Sequence, residues 1–472
     1  MGIPCFEWLL CCAFRLSSCA PLSAAMEPLV EALAPPADVL DEAQRAPTPA
    51  AALDLLGAAY REDTPQTAAL EAALRRQDTM AESLAAMERA ARPAHFFARE
   101  TRPLGALLGD RLTLSPTRVE QYYRCRFSYF LQYVLRIRPR IRAELSPLES
   151  GSLVHYILEH LMRRAGAEFP RLAPEELARL AGEVADQYVA ENMPAAGRRF
   201  AYLVERLKRG VTRLLAYLQA EQAQSLFHPA AFEQEIGTGE GAVPPLTLRT
   251  PDGRTVQVQG KIDRVDVMER EGRTYLRVVD YKTGNKAFNL DEVYCGLNTQ
   301  MLLYLFTLRS NAAQVYKNPV AAGVLYLAGD PVLKTGSRAE AAAAPVYKVD
   351  GLVLNDELVV RGMDRDATGM FVPFAFGKDG APRASAKLAS LEKLGNIEKH
   401  LDALVVEMAR GLYAGEIDAV PLRTAAHCPC DVCDYRPVCL HEDGRGETSV
   451  QAPKDVFETR ADACKAQGEG NI

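Results

Sequence analysis

Apolar and polar positions divide the chain into helical and extended stretches. Ala68 to Arg92 places Leu70, Leu74, Leu84 and Met87 on one helical face, after a segment broken by Pro35, Pro36, Pro47 and Pro49. Ser115-Pro116 starts a helix, because serine can cap and proline suits the first helical position. Residues 151 to 225 read as mostly helical. From Phe232 the pattern turns extended, with strands predicted at Phe232–Ile236, Leu246–Arg249, Val256–Met268 and Tyr275–Tyr281. Asp252-Gly253 and Glu271-Gly272 supply hairpin turns. A helix from about Gly296 to Ser310, a buried strand at Ala321–Leu327 and a helix from Leu388 to Arg410 follow, and Ala339–Pro345 reads as a loop. The class is α/β. The predicted organisation is an irregular N-terminus over 1–25, a mostly helical segment over 26–110, a main domain over 111–442 and a polar tail over 443–472, expected to fray.

With 61 acidic against 55 basic residues the net charge is −6, which excludes a general basic coat. Nucleic-acid binding would have to use local patches. One such patch stands out. Tyr122, Tyr123, Phe127, Tyr129, Phe130 and Tyr133 are followed closely by arginine at 136, 138, 140 and 142, with Arg124 and Arg126 among them and no acid between. Arginines and rings there are expected to face single-stranded DNA, with Phe127 and Phe130 kept for the core. No apolar run approaches the roughly 18 residues of a membrane span. Trp8–Phe14 and Ala20–Ala25 faintly suggest a signal peptide, but Glu7 precedes the apolar stretch and Arg15 follows it. Phe6 stands where myristoylation expects Ser or Thr. The reading is an internal start or a truncated gene.

Chemistry is suggested by the strands. Asp263 lies in Gly260-Lys261-Ile262-Asp263-Arg264-Val265-Asp266, and the next strand ends Val279-Asp280-Tyr281-Lys282. Adjacent antiparallel strands bring Asp263 and Asp280 together, and residues two apart share a face, so Lys282 joins them. Two carboxylates at one point suit Mg²⁺ or Mn²⁺, which activate water and neutralise phosphate charge. Gly151-Ser152-Leu153-Val154-His155 opens a helix, Gln300 and Tyr304 share a helical face, and Glu233 heads the first strand. Taken singly, His155 reads as a packed helix histidine and Asp280-Tyr281-Lys282 as solvated strand charges; together they point to one site.

Gly151-x-x-x-His155, Asp263, Asp280-x-Lys282 and Gln300-x-x-x-Tyr304, in this order, resemble the RecB-type branch of the PD-(D/E)xK nucleases. The resemblance implies a restriction-endonuclease-like core. It implies a metal held by His155, Asp263, Asp280 and the Tyr281 carbonyl, with Lys282 as catalytic lysine and Gln300 and Tyr304 supporting substrate binding. Glu233 is a weaker match, since Glu235 is also available, and Ile262 stands where the motif's name has proline.

Eleven cysteines cluster unevenly. Cys5, Cys11, Cys12 and Cys19 crowd the start, while Cys430, Cys433 and Cys439 form C-x₂-C-x₅-C beside Cys428. Three near thiolates leave a metal one ligand short. His427, Cys428 or His441 would complete a zinc site, and Cys125 would complete an iron–sulfur site. One distant upstream cysteine plus this trio resembles the iron-staple nucleases, which implies a [4Fe–4S] cluster on Cys125, Cys430, Cys433 and Cys439, leaving Cys428 spare. Ser115–Arg118 through Cys125 to Leu135, then Asp350–Leu354, Met363-Asp364 and Tyr435-Arg436, are similar to the AddB family, one of the two chains of bacterial AddAB helicase–nucleases. That likeness covers residues 110 to 442. It implies a deoxyribonuclease acting on single-stranded DNA ends in double-strand-break repair, cutting the 5′-ended strand in the bacterial cytoplasm with an AddA-like helicase partner. AddB chains are longer, so this chain is expected to be a C-terminal piece or truncated homologue, with 26–110 a remnant of the helicase-like half. There is no GxxxxGK[ST] phosphate loop and hence no ATPase motif. Two other readings are a non-catalytic DNA-end-binding scaffold and a stand-alone CRISPR-type iron–sulfur exonuclease.

Overall fold

The computed structural model describes residues 48–59, 65–91, 101–138, 147–192, 198–282, 287–331, 347–425, 428–439, 441, 446–453 and 456–458. Cys5, Cys11, Cys12, Cys19, His427, Arg140, Arg142 and the Ala339–Pro345 segment lie outside the described residues. The chain forms two compact units, Met1–Pro93 and Ala94–Ile472.

In the first unit α1 (Pro49–Ala59), α2 (Pro65–Arg75) and α3 (Ala81–Ala91) bury Leu56, Leu74 and Leu84 together. The single helix expected over 68–92 is therefore two helices. Gln77 is extended and a 3₁₀ turn, Asp78–Met80, joins them. The apolar spacing runs through the break because both helices turn the same kind of face to one small core, so periodicity alone cannot see it.

The second unit begins with α4 (Thr101–Leu108), β1 (Arg111–Leu114), α5 (Pro116–Arg124) and α6 (Arg126–Tyr129). Ser115 caps α5 by accepting the Arg118 amide, and Cys125 ends it. Three long helices follow, namely α7 (Pro147–Ala165), α8 (Pro174–Asn192) and α9 (Arg198–Gln224). Next come β2 (His228–Ile236), β3 (Leu246–Arg249), β4 (Thr255–Val258), β5 (Gly260–Arg270) and β6 (Arg273–Lys282). The expected Val256–Met268 strand is two strands in different sheets. β4 pairs with β1 and β3, whereas β5 lies between β2 and β6. The chain leaves one sheet for the other at Gln259, whose amide still donates to Leu114 O. Both predicted hairpin turns form: Gly253, Glu271 and Gly272 take the positive φ such turns require.

A short α10 (Leu290–Tyr294) precedes α11 (Gln300–Asn311), the helix expected from about Gly296 to Ser310, which starts four residues later. They are followed by β7 (Pro319–Pro331), β8 (Tyr347–Leu354), α12 (Glu357–Met363), β9 (Leu388–Ala389) and α13 (Leu391–Ala414). Residues 388 and 389 pair with β8, and α13 starts only after Ser390, whose hydroxyl caps the Lys393 amide. The main sheet has the order β2-β5-β6-β7-β8-β9, antiparallel except for the β6–β7 and β8–β9 pairs. The tail expected to fray from 443 carries β11 (Thr448–Ser449), parallel to β10 (Leu422–Arg423), and Phe457 is buried at 3% exposure beside His400.

Alternation gives the two faces of β5 and β6 opposite work. One carries Asp263, Asp280 and Lys282. The other carries Arg264, Asp266 and Arg277, all fully buried. Arg264 and Arg277 reach Asp266, and both also reach Glu221 of α9. Two guanidinium groups against two carboxylates make this interior quartet neutral, the condition under which charges can be buried at all.

Candidate metal centre and four-cysteine site

β5 and β6 run antiparallel with Arg264 opposite Val279, so the next pair is Asp263 and Asp280. Asp263 Oδ2 accepts the Tyr281 amide at 3.3 Å. α7 brings in His155: Nε2 donates to the Tyr281 carbonyl at 2.9 Å and Nδ1 lies 3.4 Å from Asp263 Oδ2. β2 brings Glu233 opposite Asp263, since its neighbours Phe232 and Gln234 pair with Arg264 and Ile262. Glu233 has φ 50°, a left-handed conformation that a glutamate adopts at a cost of order 1–3 kcal/mol. Glu235, the other acid in this strand, pairs with Lys261 and does not join the group.

Among the described residues, one group of three possible metal ligands has its donor atoms within 4.8 Å of one another: His155, Glu233 and Asp263. Glu233 thus stands nearer the centre than its motif match suggested. Asp280 lies outside that tight group, with Oδ2 2.7 Å from Lys282 Nζ. The Tyr281 carbonyl is held by His155. The site draws positive charge. Burial alone would lower the His155 pKa, but the hydrogen bond and charge of Asp263, with the Tyr281 carbonyl and Asp280, push it up to about 9. Burial would raise Asp263, yet His155 and Lys282 hold it below the ordinary carboxylate range. A cluster of carboxylates that pulls a proton onto an imidazole suits a divalent cation, and its oxygen-rich donors suit Mg²⁺ or Mn²⁺.

Gln300 and Tyr304 arrive together on α11. The Tyr304 hydroxyl accepts the Lys261 amide at 3.4 Å. Tyr304 packs so closely on Gly260 that no side chain fits there. Lys261 pairs with Glu233 at 2.7 Å and is 54% exposed.

The four cysteines meet although the chain separates them widely. Cys125, Cys430, Cys433 and Cys439 line one cavity of about 160 Å³. Phe127, Leu131 and Tyr435 form the apolar cluster under Cys125, Cys433 and Cys439, and the Tyr435 hydroxyl donates to Ile137 O at 2.7 Å. Burial pushes the Cys125 thiol up to about 11 and raises Cys430 and Cys439 as well. Thiolates there need a cation. Cys428 is fully buried beside Glu447, and the His441 ring faces the same carboxylate.

The arginine-rich segment departs from expectation. Tyr122, Phe127 and Tyr129 are buried, and Tyr123, Phe130 and Tyr133 are half-buried, so no ring of the group is exposed. Tyr122, Tyr123, Tyr129 and Tyr133 stack on one another edge-on or tilted, and Phe127 and Phe130 join the apolar cluster under the cysteines, as expected of core rings. Arg126 pairs with Glu416, while Arg124, Arg136 and Arg138 are exposed. Sequence reasoning also missed Glu120 of α5, which sits 179 residues before its partner Thr299 and has no motif to mark it.

The sequence profile described as the PD-(D/E)XK nuclease superfamily matches residues 113–440. The chain is similar to the B chain of the ATP-dependent helicase/deoxyribonuclease of Clostridium acetobutylicum, 31% identical over 74% of this chain and 32% of that protein. It is likewise similar to the corresponding protein of Desulforudis audaxviator, 34% identical over 71% of this chain and 30% of that protein. That of Acetivibrio thermocellus is 30% identical, over 78% and 33%. The chain spans about a third of the length of the curated relatives it matches.

Proposed function

The chain belongs to the PD-(D/E)XK nuclease superfamily, and from that premise we propose that it is a metal-dependent deoxyribonuclease acting on single-stranded DNA ends. The observation that carries this is the meeting of His155, Glu233 and Asp263 beside the Asp280–Lys282 pair. His155, Glu233, Asp263 and, after a turn of its side chain, Asp280 would hold Mg²⁺ or Mn²⁺ with the Tyr281 carbonyl. Such an ion supplies Lewis-acid activation of water and charge neutralisation at the phosphate. The protein's own part is positional and electrostatic. Lys282 lies on the same strand face as Asp280, and its ammonium stabilises charge developing on the phosphoryl oxygens. Gln300 and Tyr304 fix the substrate strand against β5, and Arg124, Arg136 and Arg138 offer exposed charge to the backbone.

The four-cysteine site is proposed to carry a [4Fe–4S] cluster with a structural role. Phosphodiester hydrolysis needs no electron transfer. What supports this reading is that Cys125, Cys430, Cys433 and Cys439 line one cavity, whereas Cys428 is set beside Glu447. The relatives' names support a helicase partner, and the AddB likeness implies that it is AddA-like and that the chain processes broken DNA ends in the bacterial cytoplasm. No described helix is long and apolar enough to cross a membrane.

Purified chain, alone and with an AddA-like partner, is given end-labelled single-stranded and duplex DNA with Mg²⁺. Preferential loss of the single strand, abolished by Asp280→Ala in a folded chain, is expected. Equal cutting of blunt duplex, or cleavage by folded Asp280→Ala, would overturn the assignment. Brown protein with iron and sulfide near about four each supports the cluster, and colourless protein with one zinc refutes it.

A further inference from the structure

Helix α5 links the two sites. Its last turn leads into Cys125, whose amide donates to Gln121 O, and Cys125 lines the four-cysteine cavity. One turn earlier Glu120 points into the protein at 8% exposure. Its Oε1 accepts the Thr299 amide at 2.8 Å and the Gln300 amide at 3.0 Å. These are the first amides of α11, the helix that carries Gln300 and Tyr304.

A helix leaves its first four N–H groups without intrahelical partners. Thr299 stands at the capping position, but its backbone is helical and its side chain caps nothing. Its hydroxyl is buried with no hydrogen-bond partner among the described residues. The cap comes instead from another element, with a full negative charge at the positive end of the helix dipole. A second contact fixes the same junction. Gly296 has φ 85° and lies flat against Tyr123, where any Cβ would overlap the ring. Tyr123 in turn donates to Leu404 O at 2.7 Å. α5 and the start of α11 are thus locked to each other, and α11 sets Tyr304 against Gly260 and Lys261, two to three residues from Asp263.

We propose that Glu120 is a positioning residue for the nuclease centre: its carboxylate carries the placement of the four-cysteine end of α5 to α11 and so holds Gln300 and Tyr304 in register with Asp263. This rests on the nuclease reading above. The four-cysteine site then does more than close the fold. It anchors one end of the lever whose other end aligns the substrate-binding helix.

The test uses the full chain with Glu120→Ala, Glu120→Gln and Glu120→Asp. Alanine leaves two buried amides unpaired and frees the end of α11. Glutamine keeps an acceptor oxygen at the same reach, and aspartate keeps the charge but withdraws it by one methylene. A displacement of about 1 Å at reacting groups costs about 10²-fold in rate. Expected for alanine is a kcat/KM for single-stranded DNA about 10²-fold lower, with iron content unchanged. Glutamine should recover most of the loss, and aspartate should fall between. Hydrogen exchange at the Thr299 and Gln300 amides should quicken in the same order, a readout that needs no activity. If alanine prevents folding, aspartate takes its place. Combining Cys125→Ser with Glu120→Ala should cost less than the two losses multiplied, because both cut one link. Unchanged kcat/KM and unchanged exchange in Glu120→Ala overturn the proposal. A wild-type chain that never cuts DNA overturns the nuclease reading instead, and amide exchange still decides whether Glu120 holds α11.

Discussion

Replacing Gly260 by alanine asks how closely α11 must sit on β5 for the chemistry to proceed. A Cβ at this position would lie 2.9 Å from Cε1 and Cζ of Tyr304 and nearer still to its hydroxyl oxygen. Carbon atoms in contact prefer about 3.5–4.0 Å, so ring and strand must part by about 1 Å. The ring has no free space to swing into. Tyr304 is 4% exposed within the core, and protein interiors are packed like crystals. Overpacking of this size costs about 1–3 kcal/mol of stability. The larger consequence falls on rate. Moving Tyr304 and Gln300 by about 1 Å from Asp263 is expected to lower the cleavage rate about 10²-fold. Denaturant unfolding gives the first number, and single-turnover cleavage of an end-labelled strand at saturating Mg²⁺ gives the second. Adding Tyr304→Phe removes the nearest overlapping atom and should recover part of the stability but little of the rate. A folded Gly260→Ala chain that cuts at the wild-type rate would show that the Tyr304–Gly260 contact has no bearing on the centre.

Three further outcomes are expected. Lys282→Ala should slow cleavage about 10²- to 10³-fold, as loss of one electrostatic stabiliser does, with the melting temperature kept; wild-type rates in the folded variant exclude the role. Asp266→Asn leaves Arg264 and Arg277 facing one carboxylate inside the protein, and should cost about 3–5 kcal/mol in chemical denaturation; a loss under about 1 kcal/mol would mean the quartet is hydrated. Burial and the neighbouring Glu398 raise the Asp402 carboxyl to about 6, against about 3.9 in the unfolded chain. The folded state therefore binds the extra proton between those values, so stability falls as pH rises through about 4 to 6. Asp402→Asn should match wild type at pH about 4 and exceed it by about 1 kcal/mol at pH about 8, a figure reduced for partial solvent exposure; equal stability at both pH values contradicts this.

How much was legible follows the range of each signal. Asp263, Asp280 and Lys282 could be placed because strand alternation and the Glu271-Gly272 turn are local. His155 and Tyr304 needed the resemblance, since helix periodicity cannot distinguish a ligand from a packed side chain. The passage from β4 to β5 was invisible: Val256 to Met268 stays extended and apolar while changing sheets at Gln259. Rings near Arg124 suggested stacking on bases, yet composition cannot say which way a ring points, and they face the core. Glu120 and Glu221 were beyond reach because their partners lie far along the chain and nothing local marks a buried acid. The left-handed backbone at Glu233 has no sequence signature either.

His155, Glu233 and Asp263 are proposed to form a divalent-cation nuclease centre. The most direct measurement is cleavage of an end-labelled single strand by wild type and by Asp263→Asn, each titrated with Mg²⁺ and with Mn²⁺, alongside thermal melts of both proteins. Asparagine keeps the shape and removes the charge that draws the cation. Cation-dependent cleavage by wild type and none by Asp263→Asn at any cation concentration is expected, with both proteins folded. Cleavage by folded Asp263→Asn, or cation-independent cleavage by wild type, would overturn the metal-centre assignment.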